Sequence, residues 1–125
     1  MSLTHALWLA AAGAAGTLLR AGANALSLRL FGPGFPWGTL AINVIGSFAF
    51  GSIVALARSR GSLSTAQETV LLVGLLGGFT TYSSFAFQSV EMLEAGRIMP
   101  AVAYVIGTTL AALLAVWAGL RLFSA

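Results

Sequence analysis

The chain carries nine charged side chains in 125 residues, and their positions constrain its fold more than anything else in the sequence. They are Arg20, Arg29, Arg58, Arg60, Arg97 and Arg121, with Glu68, Glu91 and Glu94. Between them lie stretches with no charge: Leu30 to Ala57 (28 residues), Thr69 to Val90 (22), Ile98 to Leu120 (23), and Met1 to Leu19 (19), with His5 near its start. About 20 apolar residues in a helix cross the roughly 30 Å of bilayer hydrocarbon. Four such crossings account for nearly the whole chain. Composition agrees: 7% of the residues are charged, against about 25% in a soluble domain.

Backbone groups in lipid must be satisfied within their own segment, which makes helices the default. The sequence predicts an all-α membrane protein. It forms one domain over residues 1–125, with spans at about 3–28, 37–57, 66–94 and 99–123. Pro33 and Pro36 in "LFGPGFP" end the first span, because proline cannot continue a helix. "RSRGSLST" is a polar loop in which Ser64 or Thr65 caps the third helix ahead of Glu68. "MSLTHALWLAAAGAAG" lacks the positive start of a signal peptide and runs on into a full span, so it is read as a retained helix. Trp8, Trp37 and Trp117 fit interfacial belts, His5 an interfacial site, and Glu91, Glu94 and Arg97 a solvated helix end.

The formal charge of +3 does not indicate nucleic acid. The arginines are scattered at span ends and form no basic stripe. With no cysteine, disulfides and thiolate metal sites are excluded. No metal-ligand spacing, nucleophile–base pair or phosphate loop is present, so the chain is not read as an enzyme. Arg58, Arg60 and Arg121 fall on one side of the membrane, Arg29 and Arg97 on the other, and Arg20 lies deep in its span. So small a bias allows insertion both ways and an antiparallel pair. The alternative is that Arg58 and Arg60 alone fix one orientation.

No carboxylate or lysine lies mid-span. An ion-coupled exporter needs an ionisable intramembrane group, and the small multidrug exporters carry an acid in their first helix, where this chain has only Arg20 and a shallow His5. Neutral polar residues remain. Thr39, Asn43 and Ser47 are four apart and share a helix face, as do Tyr104 and Thr108. Tyr82, Phe85 and Gln88 follow at steps of three. Any one of these reads as interhelical glue, at about 0.6 kcal/mol per hydrogen bond. Rows of them in three spans point to a polar track for a small solute. In "GGFTTYSSFAF" (77–87), Gly77 and Gly78 beside the β-branched Thr80 and Thr81 predict an unwound segment. Non-helical backbone at membrane depth is tolerated when buried in protein or lining a cavity, where free carbonyls suit a cation and free N–H groups an anion.

Three of these stretches resemble the Fluc (CrcB) family of fluoride channels. "GGFTTYSSF" is similar to its Gly-Gly-x-Thr-Thr-Phe-Ser-Thr-Phe motif, "WGTLAINVIGSFAFG" to its Gly-Thr-Leu-x-x-Asn-x-x-Gly motif, and "GAAGTLLR" to its Gly-Ala-x-x-Arg motif, with Thr17 where Ala is frequent. The resemblance covers essentially the whole chain. It implies a dual-topology homodimer in the inner membrane of a bacterium. It also implies two fluoride pores and a structural Na⁺ on the two-fold axis, held by the carbonyls of Gly77 and Thr80. It implies Asn43 as a pore-lining residue, Tyr82 and Phe85 as an aromatic box, Thr108 in a polar track of the fourth helix, and Arg20 near a vestibule. Thr39 and Ser83 add hydroxyl donors to the expected path. Tyr82 replaces a phenylalanine, Gln88 stands where an acid is frequent, and "SFAF" is less polar than the family's ending. The implied function is passive export of fluoride. The alternatives are a small dual-topology exporter of organic cations and a structural subunit of a larger complex.

Overall fold

The computed structural model describes residues 1–124, and all regular structure among them is helical. Four helical segments are long and apolar enough to cross a membrane: Leu3–Phe31, Trp37–Arg60, Thr65–Glu94 and Ile98–Phe123. At 24 to 30 residues and 1.5 Å per residue, they are about 36–45 Å long. This is a multi-pass membrane protein.

The helix ends follow local chemistry. Ser2 caps the first helix, its hydroxyl accepting from the His5 N–H at 3.2 Å. That helix runs to Phe31, past the expected residue 28, because the first interruption is Gly32 at φ +71°, with Pro33 behind it. The second helix continues to Arg60 and closes on Gly61 in the left-handed conformation. Its Arg58 and Arg60 lie in the last turn, where the helix dipole favours cations. Ser64 caps the third span through a reciprocal pair: the Ser64 N–H donates to Gln67 Oε1 at 2.9 Å, and the Gln67 N–H donates to Ser64 Oγ at 3.3 Å.

The third span is not one regular helix. Val70–Leu76 is wound as a π-helix, and the Gly77 N–H reaches back five residues to the Leu72 carbonyl. Gly77–Phe79 completes a further turn. Thr80 and Thr81 are extended, and helix resumes at Tyr82 with the Thr81 hydroxyl as its cap. The interruption therefore falls on the threonine half of the expected unwound segment, and the glycine pair stays helical. The reason is packing. A Cβ on Gly78 would press into the carbonyl of Gly13 in the first helix. Tight approach is what Gly78 is for, contrary to its reading as a helix breaker.

Two helix pairs form the body. The first helix packs on residues 70–79, and the second packs on the fourth. Both contacts bring backbone against backbone. A side chain on Gly16 would strike the Leu75 carbonyl, one on Gly51 the Val116 carbonyl, and one on Gly119 the Phe48 carbonyl. Lipid gives apolar helices little reason to associate, so close approach through small residues supplies the cohesion. Past the break, Tyr82–Glu94 leaves the first helix and packs on the fourth. There Met92, Ala101 and Tyr104 form a buried core with Phe35, Leu40 and Phe85 around it. Elsewhere large apolar side chains face outward, among them Leu18, Leu114 and the three tryptophans.

Candidate functional site

The break at Thr80–Thr81 redirects hydrogen bonds, and Asn43 is the residue that receives them. In an unbroken helix the Gly77 carbonyl would accept from the N–H of residue 81, and the Thr80 carbonyl from that of residue 84. Here the Thr81 N–H donates to Asn43 Oδ1 at 2.8 Å, and the Ser84 N–H donates to Thr81 Oγ1 at 3.2 Å. Asn43 Nδ2 returns a bond to the Thr81 carbonyl at 2.9 Å. One side-chain amide thus plays the part of a neighbouring strand and satisfies both backbone groups of Thr81. It retains one free amide hydrogen. Gly46, one turn further along the second helix, has no side chain to collide with the Thr80 methyl.

The break frees carbonyls at the end of the half-helix, those of Gly77 and Thr80 among them. Both lie at the C-terminal end of a half-helix, where the dipole is negative. Arg20 Nη1 stands 3.5 Å from the Thr80 carbonyl, beyond the usual range of a good N–H···O bond. Gly77 is exposed. Among the described residues no cluster of His, Cys, Asp or Glu could hold a metal. Any cation here would rest on carbonyl oxygens, a donor type that suits hard ions.

Next to the break is a group of buried hydroxyls. Tyr104 is fully buried, and its phenol donates to Gln88 Oε1 at 2.8 Å. Thr39 is 1% exposed and Thr108 4%, yet neither hydroxyl has a hydrogen-bond partner. The Thr39 hydroxyl neighbours the Tyr104 phenol without reaching hydrogen-bond geometry. Other helical hydroxyls of this protein find a carbonyl one turn back: Ser52 on Phe48, Ser89 on Phe85, Thr109 on Val105. Leaving a buried hydroxyl unpaired costs about 1–3 kcal/mol, so two unpaired hydroxyls on neighbouring turns need an explanation.

Aromatic rings connect the two clusters. Tyr82 and Phe85 have centroids 5.8 Å apart, and Phe85 meets Tyr104 edge-on at 5.2 Å. Tyr104 meets Phe35 edge-on at 5.4 Å, and Phe35 lies 4.6 Å from Trp37. The series runs from mid-span to the loop between the first and second helices. Ring edges carry the positive end of the aromatic quadrupole.

An open cavity of about 420 Å³ brings together Asn43, Thr80, Tyr82, Phe85 and Thr108, with Ser47 and Thr81 also in its wall. Thr39 lies one helical turn from Asn43 in the buried layer. Ser83 does not join them. It lines a separate shallow depression with Ser84, Phe87, Gln88 and Glu91. The sequence spaces Tyr104 with Thr108 and Gln88 with Phe85, but the Tyr104–Gln88 pairing, which joins different helices, leaves no mark in it. Phe35 sits in a Gly/Pro loop with no periodicity to mark it, and the capping role of Thr81 was hidden in a run of hydroxyl residues.

A family model described as "CrcB-like protein, Camphor Resistance (CrcB)" matches residues 7–120, from the first helix to the fourth. A protein of Paracoccus denitrificans named "Fluoride-specific ion channel FluC" is 46% identical over 91% of this chain and 90% of its own. One of Agrobacterium fabrum with the same name is 41% identical over 91% of each chain. A third, from Rhizobium meliloti, is 38% identical over 98% of each. Matches of this length take in the helix break, Asn43 and the buried hydroxyls together, and on them the chain belongs to the CrcB family.

Proposed function

We propose that the protein is a fluoride-specific channel, exporting fluoride passively from the cytoplasm across the inner membrane of a bacterium, and that two copies work as an antiparallel pair. The name shared by its relatives supports the ion. The observation that carries the reading is the pair of buried, unpartnered hydroxyls of Thr39 and Thr108 beside Tyr104.

Fluoride is small and holds its water tightly, so a path must replace that water with several donors, each weak enough to release the ion. Thr39 and Thr108 have hydroxyl protons committed to nothing else. Asn43 contributes its remaining amide hydrogen, and the edges of Phe85 and Tyr104 present positive potential. Tyr82 is 81% exposed, so its hydroxyl meets the ion or the second copy from the rim of the cavity. Glu91 and Glu94 stand at the end of the third span and leave the path free of fixed negative charge. A 100 mV inside-negative potential pushes an anion out with about 2.3 kcal/mol per charge. Neutral HF entering and dissociating inside supplies the fluoride. No coupling carboxylate is needed, and the organic-cation exporter is set aside on that ground and on the family.

The pairing explains an otherwise costly surface. An interrupted helix with released carbonyls lies on an open face, and each unsatisfied group costs several kcal/mol against hydrocarbon. A second copy covers that face, and the near balance of arginines between the two ends suits opposite orientations. In such a pair the Gly77 and Thr80 carbonyls of both copies are the residues that would hold a structural Na⁺, whose charge would favour anions nearby. Liposomes carrying the protein should release fluoride and retain chloride when a potential is imposed. Well-folded protein that releases neither would refute the proposal.

A further inference from the structure

A second cavity, of about 520 Å³, opens between the ends of the second and fourth helices, far from the break. Its lining includes Arg58, Ser59, Trp117, Arg121 and Ser124, and no acidic residue. Both arginines lie in the last turns of their helices, the depth at which a span meets the lipid headgroups. The Arg121 guanidinium sits 5.9 Å from the centre of the Trp117 ring, which fixes it by a cation–π contact. The Ser59 hydroxyl stands 3.5 Å from the Phe123 carbonyl and joins the two helix ends. Apolar surface continues from the pocket toward the bilayer interior: Trp117 is 57% exposed and Leu114, one turn deeper, 64%. The ion path described above uses neither arginine.

We propose that this cavity is a binding site for the headgroup of an anionic phospholipid. Two guanidinium forks from different helices match the oxygens of a phosphodiester. Serine hydroxyls suit a glycerol headgroup, and the exposed Trp117–Leu114 surface receives the acyl chain. Basic pockets between helix ends are the recognised form of such sites. A choline headgroup brings a cation against the same arginines and is disfavoured. A soluble phosphate offers the same oxygens but no acyl chain.

The test is native mass spectrometry of the full-length protein released from nanodiscs of equal phosphatidylglycerol and phosphatidylcholine. Wild type should retain phosphatidylglycerol in preference, and millimolar inorganic phosphate should not displace it. Arg58→Gln should lower that preference about fivefold, and the Arg58→Gln/Arg121→Gln pair about thirtyfold. Arg58→Lys/Arg121→Lys, which keeps the charge but not the forks, should recover part of it. Equal retention of both lipids by wild type overturns the proposal without reference to any variant. So does an unchanged preference in the folded double Gln variant. Displacement by inorganic phosphate would make the site one for soluble anions and overturn the lipid assignment.

Discussion

Thr39 and Thr108 are where a single side chain decides between architecture and function. A hydroxyl that makes no internal bond contributes nothing to the fold that valine would not. Thr39→Val and Thr108→Val should therefore leave the thermal unfolding temperature unchanged or slightly raised. Each should also lower fluoride efflux about tenfold, the effect of losing one hydrogen bond to a charged group. Unchanged efflux from both variants would remove the hydroxyls from the path. Asn43 behaves differently because it has two duties. Asn43→Ala strips both partners from the Thr81 backbone and should cost about 2 kcal/mol of stability. It should also abolish flux while the pair of chains persists, as read by unfolding, efflux and size-exclusion light scattering. Tyr82→Phe should change conduction and leave pairing intact. The four-residue spacing of Thr39 and Asn43 was legible in the sequence. The Tyr104–Gln88 bond was not, because its two ends lie 16 positions apart on different helices and only tertiary contact brings them together.

Among the elements, the third span was read best in outline and least well in detail. Its charge-free length announced a crossing, and "GGFTT" announced an interruption. The glycines and threonines together pointed to an unwound segment, whereas tight packing keeps Gly78 helical and confines the break to Thr80–Thr81, where Asn43 can bond it. The π-helix over Val70–Leu76 left no trace, since "VLLVGLL" is an ordinary apolar helix sequence. The first two helices run three residues beyond their expected limits and end at Gly32 and Gly61. Packing through glycine gives a prediction of contrasts. Gly16→Ala drives a methyl into backbone of the third span and should lower the unfolding temperature by several degrees. Gly22→Ala, in the same helix, has nothing within 4 Å and should hold or raise it. Equal effects would mean that the helix 1 contact is not the tight one.

For the molecule as a whole, sparse charge was enough to give four spans. The proposed second copy was suggested only by the resemblance and the near balance of arginines, because a partner surface leaves no periodic mark within one chain. The central claim is that one dehydrating path, lined by neutral donors, conducts fluoride without coupling. Current recorded across a bilayer holding the protein, with different fluoride concentrations on the two sides, tests it most directly. The reversal potential should sit at the fluoride equilibrium value and stay there when chloride or pH is changed on one side. A reversal potential that follows the chloride gradient would contradict the selectivity, and one that follows the proton gradient would contradict passive conduction.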